Sequence, residues 1–363
     1  MDQKIVRPNK MGRYSFFSLK TQFENLGDAL INIELIRIAS RYSTVLVDLS
    51  RCEESFANSI STSCEGAEYS DSSASLFLSL LKRRLHGDEC YYFLSPGGYF
   101  GTLRARELPS RVMNTLVLCG LRLAGVRIVL AGVSAERFSP AYLTLFRIRR
   151  MLIHRLLARD TLSQQYLSDR SITVDAVVPD LAFNLFDLEH KNEIPQPDRT
   201  TLVFSFRCDQ TDDAREQVRR LVRRVMGSLE ESARVIFYSQ VVRDDQFMAE
   251  LATDAEVLSS NVNSTFISEH RSVEMAQQIL SQGTVVLSNR LHVLLVAGSV
   301  GCRVQPVVDE MVNAKVKGLF EDIGVSSITF TDAFDHRTGG KPILAQGDAQ
   351  RHKLLKGFSD VYI

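Results

Sequence analysis

The chain has 363 residues, 45% of them hydrophobic, enough for one large core or two ordinary ones. Its 43 basic and 43 acidic residues cancel, so no global field favours nucleic acid or an anionic membrane, and any anion specificity must be local. The six cysteines show no zinc or redox spacing and read as reduced thiols of a cytoplasmic protein.

The opening "MDQKIVRPNK" is polar and does not read as a signal peptide. Short, almost wholly apolar runs then recur, with helical stretches between them. In the first half they are 13–19, 44–49, 91–95, 127–132 and 174–180. In the second half they are 201–206, 234–239, 265–268, 284–288 and 303–308. Strands covered on both faces by helices have this composition, so the pattern predicts parallel sheets built from βαβ units. Residues 51–75, rich in Ser and acidic side chains, read as a surface loop or insertion. The apolar window 112–133 contains Arg122 and Arg127, which exclude a membrane span and leave a helix followed by a buried strand. Apolar residues at helical spacing across 146–160 predict a helix with Arg147, Arg149, Arg150 and Arg155 on a solvated face; a lipid-phosphate contact is the lesser reading.

The polar stretch 187–200 reads as a linker. It separates a domain at 1–188 from a second at 200–335, followed by a tail at 336–363 with a short terminal helix. The expected fold is α/β: two Rossmann-like domains whose parallel sheets face each other across a cleft, with ligands beyond the C-terminal ends of the strands.

Candidate chemistry lies at those ends. In "SNRLHVLLVAG" a strand turns into a helix, with Asn289 as the expected cap. The unpaired N–H groups of a helix start attract anions. Arg290 adds a fork for carboxylate or phosphate, and His292 a proton donor or acceptor. The alternative is a histidine satisfied in the core and a surface arginine. Arg207 closes the strand "TLVFSF", and Lys315 falls in the first turn of a helix starting near Asn313. Arg207 could instead form a helix-facing salt bridge, and Lys315 be an ordinary exposed lysine. In "NLGDALI" (25–31) Asp28 is an N-cap or a carboxylate facing the cleft. In "SPGGYFG" (95–101) Gly97 and Gly98 let backbone amides approach a ligand, and Tyr99 offers a ring to a sugar.

These pieces, in order, resemble the polysaccharide pyruvyl transferase family. They are "NLGDALI", "SPGGYFG", "ARDTLSQQYL" (158–167), "VVPDLAF" (177–183), "VFSFR", "LSNRLHVLLVA" and "AKVKGLFEDIG". The resemblance implies a GT-B-like pair of domains, with the acceptor on the N-terminal side and phosphoenolpyruvate on the C-terminal side. It implies transfer of pyruvate to two hydroxyls of a sugar in a cell-surface polysaccharide or its lipid-linked precursor, giving a ketal and phosphate. It places donor contacts on Arg207, Arg290, Leu291, His292 and Lys315. His292 is the expected acid–base group, and Asp28 orients or deprotonates the acceptor. No step needs a metal or cofactor. Partners are the donor and the glycan, with no nucleic acid; membrane contact, if any, is peripheral, at the inner face. A GT-B glycosyltransferase using a nucleotide sugar, with Glu269 as ribose ligand, is the alternative, and a silent glycan-binding or assembly protein a third.

Overall fold

The computed structural model describes residues 12–19, 21–70, 72–100, 107–188, 200–207, 211–230, 232–258, 262–309 and 313–363. The chain divides into two compact units. The first is Met1–Lys20, Leu35–Val178 and Gly357–Ile363; the second is Thr21–Glu34 and Pro179–Lys356. A single crossing in the polar linker is expected from the sequence. Instead the chain changes unit four times, twice inside helices.

The first unit holds an eight-stranded parallel sheet. Its strands are β1 (Arg13–Ser18), β2 (Thr44–Asp48), β3 (Glu68–Ser70), β4 (Glu89–Leu94), β5 (Gly97–Phe100), β6 (Arg127–Glu136), β7 (Ile153–Ala158) and β8 (Ala176–Val177). The order is β3-β2-β1-β4-β6-β7-β8. β4 and β5 lie end to end along β6, pairing with Arg127–Leu130 and then Val133–Glu136. Pro96 has no N–H for the ladder, and Gly97, at φ 113°, takes a turn that a side chain would resist. The glycine run therefore restarts a strand.

Helices α1 (Leu26–Ser40) and α2 (Glu54–Ser63) follow β1 and β2. Helices α3 (Ser73–Leu85), α4 (Leu108–Leu123) and α5 (Pro140–Leu152) cover one face of the sheet, burying Leu76 and Leu80, Leu118 and Leu121, and Tyr142 and Phe146 in one cluster. Ser139 caps α5 and Asp160 caps α6 (Thr161–Ser168).

The second unit holds a five-stranded parallel sheet of β9 (Thr201–Ser205), β10 (Arg234–Ser239), β11 (Asn263–Ser268), β12 (Val285–Ser288) and β13 (Arg303–Pro306), ordered β11-β10-β9-β12-β13. Helices α7 (Asp212–Met226), α8 (Asp245–Leu258), α9 (Val273–Leu280), α10 (Leu291–Ser299) and α11 (Ala314–Asp322) join or follow the strands. The last helix, α12 (Leu344–Ser359), starts in this unit and ends in the first. Its core sets Phe204 and Phe237 against Leu221, Val225, Met248 and Leu251.

Three sequence expectations fail. Residues 51–75 are no loop: α2 and β3 occupy them, with Phe56 and Ile60 fully buried. Two buried side chains a turn apart were masked by the serines around them. The helix expected over 146–160 stops at Leu152, and Ile153–Ala158 is β7. There Arg155 interrupts a run otherwise fit for a buried strand. Most of 174–180 is irregular, with only Ala176–Val177 pairing. The window 112–133 is α4 followed by β6, and among the described residues no helix is long and apolar enough to cross a membrane.

Burial raises the thiol pKa of Cys52 and Cys90 to about 11 and that of Cys302 to about 12. Only the thiolate attacks alkylating agents. Iodoacetamide at neutral pH should therefore label these three only after denaturation, read by peptide mass spectrometry. Equal labelling of Cys302 in native and unfolded protein would refute this.

Candidate functional site

In the second sheet β9 lies between β10 and β12. The chain leaves β9 for β10 on one side, and β12 lies on the other. Loops after β9 and β12 therefore diverge, the switch point at which open parallel sheets bind ligands. Two buried side chains clasp these loops together. Ser288 Oγ donates to the Ser205 carbonyl at 2.5 Å and accepts from Arg290 N at 2.9 Å. Asn289 Oδ1 accepts from Arg207 N at 2.6 Å. Asn289 is thus not the expected helix cap but a strut across the switch point. The N-cap position of α10 belongs to Arg290, in extended conformation.

Arg290 is 9% exposed. One terminal nitrogen pairs with the carboxylate of Asp244, itself 2% exposed, on the 3-10 turn Val242–Asp244 after β10. Burial lowers the guanidinium pKa. Asp244 opposes that shift, and the charges of Arg243 and Arg207 add to it. Three arginines thus converge on one strand edge. The buried Nε of Arg290 has no hydrogen-bond partner. A buried guanidinium N–H of this kind can donate to an oxygen of a bound anion.

His292 is held by two segments far apart in sequence. The stretch from Glu24 to Leu26 is pinned to the end of β10 by an Asn25–Val241 bridge and by Leu26 N donating to the Gln240 carbonyl at 3.2 Å. This sets the backbone of Gly27 against the imidazole: a Cβ there would lie 2.3 Å from His292 Nδ1. On the other side, Asp180 Oδ1 lies 3.6 Å from His292 Nε2, a nitrogen that is buried and has no hydrogen-bond partner. Asp180 is fully buried and also accepts from Ala182 N at 2.9 Å, at the start of the 3-10 turn Leu181–Leu185.

The structure thus gathers Arg207, Arg290, Leu291 and His292 at the β9–β12 switch point. Asp28 belongs to the same unit, but it does not cap α1. Its Oδ2 accepts from Thr21 Oγ1 at 2.8 Å and Gln22 N at 3.2 Å, bracing the turn that delivers Gly27. Glu269, expected as a ribose ligand, spends Oε1 on the backbone N–H groups of Arg271 and Ser272, at 2.7 and 2.9 Å. Lys315 is in the first turn of α11, as expected, but its side chain lies outside the described residues. Gly97, Gly98 and Tyr99 belong to the first unit. There Gly98 and Tyr99 line a cavity of about 600 Å³, and the Tyr99 hydroxyl donates to the Ser95 carbonyl at 3.0 Å. Sequence reasoning missed Asp180, Arg243 and Asp244. "VVPD" and "VVRDD" both follow strand-like runs, and that position was the available signal.

Removing one partner of a buried ion pair strands the other's charge, at about 3–5 kcal/mol. Asp244→Ala should lower unfolding stability in urea by that amount, while Asp244→Leu combined with Arg290→Met should regain much of it. Gly27→Ala tests the contact with the imidazole. Ala favours a helix, by up to about 1 kcal/mol, so the fold should survive. Displacing the ring should reduce turnover about 10²-fold; unchanged turnover would contradict the packing.

The family model for polysaccharide pyruvyl transferase matches residues 25–307. No curated protein matches in sequence. Among solved structures, the glycosyltransferase of Rickettsia africae ESF-5 aligns with 97% of this chain and 98% of its own, at TM-score 0.54 and 7% identity. UDP-GlcNAc 2-epimerase from Neisseria meningitidis, bound to UDP-GlcNAc, covers 97% and 94%, at 0.53 and 10%. The S. aureus MnaA–UDP co-structure covers 96% and 89%, at 0.52 and 11%. At these identities the likeness shows the fold alone: two Rossmann-like domains of the GT-B kind. With most of its length matched by the family model, the chain belongs to the polysaccharide pyruvyl transferase family.

Proposed function

We propose that this chain transfers pyruvate from phosphoenolpyruvate onto two hydroxyls of one sugar in a cell-surface polysaccharide or its lipid-linked precursor. The observation that carries this reading is the start of α10. A buried arginine with an unused Nε and a buried histidine nitrogen with no partner stand two residues apart, with Arg207 clasped alongside. A small donor with a carboxylate and a phosphate suits that set. Arg207, Arg290 and Lys315 bind its two anionic groups, and Leu291 packs on the three-carbon body.

His292 then delivers a proton to the methylene carbon, and the neighbouring carbon becomes oxocarbenium-like. The first sugar hydroxyl adds there. The carbon–oxygen bond to phosphate breaks, and the second hydroxyl closes the ketal. Of the two hydroxyl protons, one returns to His292 and one leaves on the phosphate. Asp180 serves as a positioning residue: a buried carboxylate 3.6 Å from the imidazole Nε2 orients the ring. Asp28 acts through the turn that seats Gly27. Gly97, Gly98 and Tyr99 are offered for the acceptor. The scheme calls for no cofactor and is set in the cytoplasm. In the nucleotide-sugar alternative Glu269 would offer a ribose only Oε2, since Oε1 holds the backbone N–H groups of Arg271 and Ser272.

The test is turnover with phosphoenolpyruvate labelled with ¹⁸O at the bridging oxygen and a panel of glycans. Labelled phosphate and a ketal on the glycan are expected. Turnover of a nucleotide sugar, with none of phosphoenolpyruvate, would sink the proposal. His292→Ala should reduce the rate about 10²–10⁴-fold. Asp180→Asn should lower kcat about 10²-fold, leave KM for the donor nearly unchanged and keep the circular dichroism of the wild type.

A further inference from the structure

Helices α3, α4 and α5 form one layer on the first sheet. Arg149 of α5 donates to Thr115 Oγ1 and the Arg111 carbonyl of α4, and Arg84 of α3 to the Ala124 carbonyl just after α4. A helix layer facing solvent should be polar on its outer side. This one is not. Of the eighteen exposed large apolar side chains among the described residues, eleven lie on these three helices. On α4 the residues opposite buried Leu118 and Leu121 are Val112, Leu116 and Leu123, with no charge among them, while Met113 and Val117, also exposed, border the cavity that Gly98 and Tyr99 line. Met113 is 61% exposed, Leu116 60% and Leu123 83%. Leu78, Leu81 and Leu85 extend the patch on α3, and Ile148 and Met151 on α5.

The charge of the layer is equally one-sided. Its three helices carry Lys82, Arg83, Arg84, Arg111, Arg122, Arg147, Arg149 and Arg150 and not one acidic residue, in a chain with no net charge. Asp175 pairs with Arg150, and Glu107 lies 4.0 Å from Arg111. Arg84, Arg147 and Arg149 bond carbonyl and hydroxyl oxygens, which leave their charge uncancelled.

We propose that the outer face of α3, α4 and α5 docks on an anionic lipid bilayer, the leucines and methionines entering the headgroup region and the Lys and Arg side chains meeting lipid phosphates. Exposed apolar helix faces bordered by basic residues bind in this way. A second copy of the chain is the poorer occupant. A two-fold contact would set this basic face against itself, with no acid in its helices to answer it.

The test is co-sedimentation of the full chain with vesicles of phosphatidylcholine alone and of phosphatidylcholine with phosphatidylglycerol at roughly two to one. Binding to the mixed vesicles only, weakened by salt, is expected. Leu116→Asp together with Leu123→Asp should reduce it at least tenfold while circular dichroism and phosphate release with a water-soluble acceptor stay unchanged. Lys82→Glu and Arg122→Glu should each weaken it about fivefold or more. The proposal is overturned if the wild type ignores the mixed vesicles, if it binds both kinds alike, or if the aspartate variant still sediments. It is likewise overturned if ultracentrifugation shows a dimer that the aspartates split and vesicles do not bind.

Discussion

A guanidinium placed where nine-tenths of its surface is lost must have its charge answered, and the second unit is arranged around that requirement. Arg290 follows β12 and Asp244 follows β10, the two strands on either side of β9. Their ion pair bridges the sheet edge over the end of the central strand, where Arg207 emerges. The Ser288 and Asn289 hydrogen bonds then fix that loop to the same frame. The crowding of Arg207, Arg243 and Arg290 follows directly: three adjacent strand ends each contribute one. Arg290 itself lies in a low-dielectric setting, where the charges of Arg207 and Arg243 weigh against its own and Asp244 answers it. An anion arriving beside Arg290 would offset that repulsion, as the proposed donor site requires.

The histidine inherits its position from the same geometry. Because Arg290 is held, α10 starts in a fixed direction, and the side chain two residues on points between Gly27 and Asp180. The short segment 21–34 explains why the chain crosses between units so early. It leaves the first sheet after β1, bridges to Val241 just past the end of β10, and brings to the imidazole a residue with no side chain. The Asp28 carboxylate, which reads from sequence as a catalytic candidate, turns out to secure that delivery.

The fold was legible because buried parallel strands announce themselves as short apolar runs, and most of those runs are strands here. What escaped was local competition. Serines around Phe56 and Ile60 hid a helix, and Arg155 hid β7. At the site, "SNRLH" and Arg207 were readable because charged side chains at the end of an apolar strand are anomalous. Asp180 and Asp244 were not, since an acid after a strand is commonly a cap or turn residue. Only the long-range contacts, to His292 and Arg290, distinguish them. The window 112–133 reads as a helix followed by a buried strand, which says nothing of the helix's outward face: of the apolar residues of α4 only Leu118 and Leu121 are buried, because their neighbours give no contrast of polarity to mark a core side.

The overall neutrality of the chain conceals two basic concentrations of different physical character. The arginines at the switch point include one buried deeply enough that burial is the largest influence on its pKa, so its attraction for an anion is little screened by dissolved ions. Lys82, Arg122 and Arg147 of the α3–α5 layer are exposed to solvent, where a Debye length of about 8 Å at physiological ionic strength weakens each of them. A small donor needs the first kind, a site that holds its charge in place during reaction. An extended anionic surface needs the second, many weak and screened contacts supported by apolar insertion. Burial, rather than the number of charges, separates what each region can bind.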